Sequence, residues 1–201
     1  MTRLLSISSY VCAGGPVGNR VGMYVLDSFG IDTAFVNTTH LANHTNYKAC
    51  TGGFLSVDEL RSILATLHTN ELDHFTAAFL GYFPSAALLR EARTYVEQLR
   101  REHPAMWTIV DPILGDNGRL YTNPEVVEEM RQTVLIADVI VPNFFELGVL
   151  AGRDVATRQD AVECCRILHT QGVPAVIVTS LNEDGHIVLL ASFASNCPSP
   201  T

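Results

Sequence analysis

The chain has 201 residues, 47% of them hydrophobic and 17% charged. That is enough apolar material for one sizeable core and too much for a chain disordered over its whole length. A formal net charge of -8 argues against broad binding to nucleic acid or to anionic membrane, both of which would repel the protein as a whole, so any anionic ligand has to be held by local groups.

Arg3 is followed by Leu4-Leu5-Ser6-Ile7-Ser8-Ser9, an apolar run that serine interrupts too early for a signal peptide, and Leu4 to Val11 is predicted as a buried strand. The turn Gly14-Gly15-Pro16-Val17-Gly18 then delivers the chain into a helix from about Asn19 to Phe29. Thr33 to Thr38 reads as a second short strand, and His40 to Gly53 as a polar loop with no clear period. Ser56 with Glu59 forms a capping box, opening a helix whose Leu60, Ile63, Leu64 and Leu67 share one face. Thr76 to Gly81 is a strand, and after Pro84 the spacing of Leu88, Leu89, Ala92, Tyr95, Val96 and Leu99 predicts a helix.

Trp107 to Asp111 is the next strand, ended by Pro112. Asn123-Pro124-Glu125 places a cap, a first-turn proline and an acid at a helix start, and Asp138 to Val141 returns as a strand closed by Pro142. Asn143 and Glu146 make a second cap-like pair, and Thr157 opens a helix with Ala161, Cys164, Cys165 and Leu168 on its inner face. Strands follow at about Ala175 to Thr179 and His186 to Leu190, and Ser192 to Thr201 reads as a frayed tail.

Such alternation predicts an α/β domain over residues 1–191, with a largely parallel central sheet, helices on both faces and ligands at the carboxyl ends of the strands. No stretch is long and apolar enough to span a bilayer. Cys12, Cys50, Cys164, Cys165 and Cys197 have neither metal-ligand spacing nor an even count, which reads as reduced thiols in a cytoplasmic protein. The glycosylation sequons at Asn37-Thr38-Thr39 and Asn43-His44-Thr45 are chance matches without a secretory signal.

Asp111-Pro112-Ile113-Leu114-Gly115-Asp116 sets two carboxylates at a strand end, where hard oxygen ligands for a magnesium-phosphate group belong; an aspartate that starts a turn reads the same locally. Glu146, one helical turn past Val141-Pro142-Asn143, is either part of that edge or a capping residue. The glycine turn before Asn19 is neither a dinucleotide fingerprint nor a P-loop. Asn43-His44-Thr45 offers amide, imidazole and hydroxyl groups or a plain hydrogen-bonded turn, and His40 with His44 lacks a third ligand for a metal.

Taken together, Leu5 to Val11, Val17-Gly18-Asn19-Arg20, Val36-Asn37 through Asn43-His44-Thr45-Asn46-Tyr47, Leu80-Gly81-Tyr82, Asp111 to Asp116, Val141 to Glu146 and Val178-Thr179-Ser180 resemble the pyridoxal kinase family from about Leu4 to about Leu190. The resemblance implies a ribokinase-like fold, a homodimer, and transfer of the γ-phosphoryl of ATP to the 5′-hydroxyl of pyridoxal, pyridoxine or pyridoxamine with Mg²⁺ and a monovalent cation such as K⁺. By position it implies that Ser9, Val17, Thr45 and Tyr82 meet the vitamer, with Tyr121 in a segment that closes over it. It places Asp111, Val141, Asn143, Glu146, Thr179 and Ser180 at the nucleotide, with Asp111 and Glu146 on the metal side.

Two departures stand out. Gly14-Gly15-Pro16 is one residue longer than the family's turn and lacks its aromatic ring, and the family's Gly-Thr-Gly-Asp motif, whose glycine amides form an anion hole and whose aspartate is the catalytic base, is not among these residues. Residues 192–201 do not resemble the family, and a C-terminally truncated, inactive chain is the expectation. Its alternatives are a non-catalytic module that binds vitamin B6 or a partner, and a hydroxymethylpyrimidine kinase; the Asn43-His44-Thr45 loop favours the pyridoxal branch.

Overall fold

The computed structural model describes residues 2–183 and 185–195. Its strands are β1 (Arg3–Ala13), β2 (Asp32–Asn43), β3 (Gly52–Phe54), β4 (Ala77–Leu80), β5 (Trp107–Val110), β6 (Gly115–Asp116), β7 (Arg119–Leu120), β8 (Val139–Ile140), β9 (Ala175–Glu183) and β10 (His186–Phe193). The helices are α1 (Asn19–Ser28), α2 (Val57–Thr69), α3 (Ala86–Glu102), α4 (Pro124–Thr133), α5 (Phe144–Ala151) and α6 (Arg158–Thr170), with a single 3-10 turn over Val134–Ile136. The main sheet has the strand order β10-β9-β8-β5-β4-β1-β2-β3. β1 pairs in parallel with β2 and β4, and β8 with β5 and β9, whereas the outermost pairs β2–β3 and β9–β10 are antiparallel. The predicted α/β class and largely parallel sheet are observed. Two compact units divide the chain, Met1–Thr108 and Ile109–Thr201.

In the first unit β1 shows no inside-outside alternation because both its faces are covered: Leu5, Ile7 and Ser8 are fully buried and Ser6 nearly so. The buried hydroxyls need partners. Asn19, at the first position of α1 and 1% exposed, supplies one by accepting from the Ser6 hydroxyl at 2.7 Å. Its amide nitrogen donates to the carbonyls of Ser8 and Val36 and to the Asn37 side chain. One amide thus ties β1, β2 and α1 together.

The stretch His40 to Gly53, predicted as a loop, is instead strand as far as Asn43 and again at β3. Just ahead of it, Thr38 and Thr39 are buried though polar and donate to the carbonyls of Tyr82 and Tyr10, so the strand continues without an apolar period. The Ser56–Glu59 capping box opens α2 as predicted, but the buried stripe is narrower than its pattern: Leu60 and Leu64 are inside while Ile63 is exposed.

In the second unit the predicted inner face of α6, Ala161, Cys164, Cys165 and Leu168, is entirely buried, and Thr157 caps it with Asp160 as its partner. Asn123 precedes Pro124 as expected, yet its side chain makes no capping bond. β6 and β7 form a hairpin that was not predicted, turned by Asn117 and Gly118 at φ 51° and 77°. That pair of left-handed residues is what a two-residue hairpin of this twist needs. β10 runs through Ser192 and Phe193, two residues into the expected tail, and the Ser192 hydroxyl lies 2.9 Å from Nε2 of His169. Residues 196–201, Cys197 among them, lie outside the described residues. Along β10, Ile187, Leu189 and Phe193 are exposed on alternate positions. The four described cysteines are free thiols, and no described helix is long and apolar enough to cross a membrane.

Replacing Asn19 by Ala removes the acceptor for Ser6 and the donors to two buried carbonyls. It is expected to destabilise the fold by about 1–3 kcal/mol. A urea midpoint equal to that of the parent would show that α1 is held to the sheet by other means.

Candidate functional site

The first unit gathers three of the four residues assigned by resemblance to the vitamer. Ser9 follows a bulge in β1, where Ser8 pairs with Asn37 and Ser9 with Thr39. The bulge turns the end of the strand toward Gly18, whose φ of 55° places a hypothetical Cβ 2.2 Å from the Ser9 carbonyl oxygen, so glycine alone fits there. Val17 is thereby brought beside Ser9. Tyr82 is held from the other side: its amide donates to the Ser8 hydroxyl and its carbonyl accepts from Thr38. Its phenol is half-buried, and loss of hydration raises its pKa.

Thr45 differs. It is exposed, two residues past β2, and makes no hydrogen bond among the described residues. The turn around it is shaped by Asn43, whose amide donates to the carbonyls of His44 and Ala49, and by His44, whose Nδ1 accepts from the Asn46 amide.

In the second unit the residues that the resemblance assigns to the nucleotide are knitted by one carboxylate. Glu146, 3% exposed, accepts through Oε1 from the amides of Leu114 at 2.9 Å and Gly115 at 3.4 Å, and through Oε2 from the Asn143 amide at 2.9 Å. Asn143 returns the cap by accepting from the Glu146 amide and donates its own Nδ2 to the Gly115 carbonyl. Val141 and Thr179 are placed by the backbone: the Val141 amide donates to Val110, and Thr179 to Pro142 across a parallel bridge with Asn143. Tyr121, exposed, is anchored through its amide to the Leu114 carbonyl.

The two carboxyls at this edge sit in poor surroundings for charge. Burial pushes Asp111 up to about 6. Burial also pushes Glu146 up to about 7, against the pull of the three amides and with a further push from Asp111. Asp111 has no hydrogen-bond partner for its side chain among the described residues, which suits a group reserved for a hard cation. Glu146 is different, since three of its roughly four acceptor positions are taken. Glu146 is therefore committed to fixing the loop, and a cation could reach it only through a water. Among the described residues no group of three or more His, Cys, Asp or Glu could hold a metal ion by itself.

A cavity of about 900 Å³ opens in this unit beside Asp116, Asn117, Phe145, Arg131, Arg153 and Ser180. Of the candidate site residues singled out from the sequence, Asp116 and Ser180 line it, Ser180 from a left-handed backbone at φ 63°. The two arginines had no local motif to mark them: Arg131 bonds the Val149 carbonyl and Glu128, and Arg153 pairs with Glu163.

A family model described as phosphomethylpyrimidine kinase matches residues 86–192. The pyridoxal kinase of Arabidopsis thaliana is 32% identical over 191 residues, which cover 94% of this chain and 62% of that relative. The chain thus spans less than two thirds of the curated relatives it matches first. Among solved structures, pyridoxal kinase from Entamoeba histolytica superposes with a TM-score of 0.92 at 44% identity, covering 96% of this chain and 69% of that one. Pyridoxal kinase from Leishmania donovani in complex with ADP and pyridoxamine gives 0.90 at 30% identity, with 96% and 68% covered.

Because Asp111 and Glu146 keep protons in the folded chain at pH values where the unfolded groups, near 3.8 and 4.5, have lost them, their contribution to stability falls as the pH rises from about 4 to about 7 and then levels off. Asp111→Asn is expected to gain stability relative to the parent as the pH rises from about 4 to about 6 in metal-free buffer, and to keep that gain at higher pH. A difference that stays flat, or runs the other way, would mean that the Asp111 carboxyl is well hydrated.

Proposed function

Because the chain belongs to the pyridoxal kinase family, we propose that it holds a B6 vitamer through Ser9, Val17, Thr45 and Tyr82 of the first unit and Mg-ATP through residues of the second, for transfer of the γ-phosphoryl of ATP to the vitamer's 5′-hydroxyl. The observation that carries this reading is the Asn143–Glu146 cap locked onto the amides of Leu114 and Gly115, in the same loop as a half-buried Asp111 whose side chain has no hydrogen-bond partner among the described residues. Two strand-end loops fixed in this way present Asp111, Val141, Asn143 and Thr179 at one edge, the place where open α/β sheets bind their ligands.

Asp111 would hold Mg²⁺, with Glu146 behind it; bound there, the cation would neutralise charge on the phosphate oxygens. Tyr121 sits just past the β6–β7 hairpin, and we assign that hairpin to cover of the phosphates. Free thiols at the described cysteines accord with a cytoplasmic setting. The hydroxymethylpyrimidine branch keeps one point in its favour, the description of the family model over residues 86–192. Calorimetry with pyridoxal and with hydroxymethylpyrimidine separates the two readings.

No catalytic base is assigned among these residues, since Gly-Thr-Gly-Asp does not occur in them. A missing base costs about 10²–10⁴-fold and a missing anion-hole donor about 10²–10³-fold. The 201-residue chain assayed alone is therefore expected to bind both ligands with little turnover. Thr45→Val is expected to weaken pyridoxal binding by about 1–3 kcal/mol with nucleotide affinity nearly unchanged. Asp111→Asn is expected to show the reverse ranking. Isothermal titration of the two variants with pyridoxal and with Mg-ATP reads both. Unaltered pyridoxal affinity in Thr45→Val would remove Thr45 from the site, and unaltered Mg-ATP affinity in Asp111→Asn would leave Asp111 as a turn residue.

A further inference from the structure

Two loops leave the sheet of the first unit side by side, because β1 and β2 stay paired as far as Ala13 and Asn43. Each loop is closed at its own base. The glycine turn folds back through the bridge between Tyr10 and Gly18. The loop after β2 is drawn in by the Asn43 side-chain amide on the carbonyls of His44 and Ala49 and by the Tyr47 backbone amide on the His44 carbonyl. None of these bonds runs from one loop to the other.

The Tyr47 ring does. A Cβ on Gly14 would lie 2.8 Å from Cε2 and 3.0 Å from Cζ of that ring, so the ring rests directly on bare Gly14 backbone. Its hydroxyl reaches the Gly14 carbonyl at 3.5 Å, the long limit of a hydrogen bond, which leaves the ring itself as the main contact. At 56% exposed, Tyr47 is too open to be a core residue, and its packing serves the loops rather than the interior.

The glycine turn needs such a brace. Gly14 and Gly15 are consecutive left-handed residues at φ 79° and 118°, and glycine loses more conformational freedom on ordering than any other residue. Val17, three residues past Gly14, is exposed, and so is Thr45, two residues before Tyr47. Loops ordered before a ligand arrives do not have to be ordered at the expense of its affinity.

We propose that Tyr47 is a positioning residue for the vitamer end, a latch whose ring on Gly14 holds the loop carrying Thr45 against the turn carrying Val17. This role rests on the reading that Thr45 and Val17 meet a B6 vitamer, whereas the latch itself needs no ligand.

NMR and calorimetry on the 201-residue chain test the two parts separately. The current of an aromatic ring over Gly14 displaces that residue's Hα signals; the displacement is expected to survive Tyr47→Phe and to vanish in Tyr47→Ala. Calorimetric affinity for pyridoxal is expected to stay within about twofold of the parent in Tyr47→Phe and to fall about tenfold in Tyr47→Ala, with Mg-ATP affinity unchanged in both. Because the latch acts by placing Thr45, adding Thr45→Val to Tyr47→Ala is expected to weaken pyridoxal binding by less than about twofold more. Gly14 signals indifferent to Tyr47→Ala would overturn the latch whatever the ligand. Full pyridoxal affinity in Tyr47→Ala, an equal loss for Mg-ATP, or losses that add with Thr45→Val would overturn the positioning role. A parent that binds no pyridoxal would overturn the vitamer reading and that role with it, and the Gly14 signals would still report the latch.

Discussion

The second unit hangs on the Glu146 carboxylate. One side chain accepts amides from Leu114 and Gly115, which follow β5, and from Asn143, which follows β8, so loops that leave two neighbouring strands are held in register by a group belonging to neither strand. A carboxylate suits this because it offers two oxygens in a plane and hydrogen bonds to a charged acceptor are the stronger kind. Its burial has an electrostatic cost, visible in the upward pKa shift, and the amides offset part of it. The same atoms that define the loops thus also decide how much charge the edge carries at neutral pH.

The first unit reaches a comparable result with neutral groups. Asn19 and the hydroxyls of Ser6, Ser8 and Thr38 are buried and each finds a partner on another element. Neutral amide and hydroxyl networks specify geometry without the desolvation of an ion. The bulge at Ser8 and Ser9 then turns the end of β1 so that Ser9, Val17 and Tyr82 come to the same strand end.

Local patterns carried most of the architecture. α6 was legible because Ala161, Cys164, Cys165 and Leu168 repeat at helical spacing, and Ser56, Asn143 and Thr157 announced their helices by short-range bonds to residues three positions on. What stayed hidden was long-range. Leu41 looks like a loop residue until it is seen paired with Val11, 30 positions back. Glu146 looks like an ordinary cap until Leu114, 32 positions back, is found on its other oxygen. Arg131 and Arg153 had no signature, since a cavity wall has no sequence period. The β6–β7 hairpin is the exception: Asn117-Gly118 is a strong turn signal that was there to be read.

β10 is an outermost strand in the sheet order, and its sequence, His186-Ile187-Val188-Leu189-Leu190-Ala191-Ser192-Phe193, contains no proline, lysine or acid. Natural edge strands are commonly blunted by such residues, because a flat row of unpaired amides and carbonyls is a template for any other strand. Here alternate side chains, Ile187, Leu189 and Phe193, add apolar contact to that template. An eight-residue strand without a gatekeeper, apolar from Ile187 to Ala191, is also enough to stack on its own kind when the fold opens. Wherever this strand is left uncovered at high concentration or during refolding, it is where one molecule would be joined to the next, and a lysine in place of Leu189 would be the smallest change that interrupts the growing sheet.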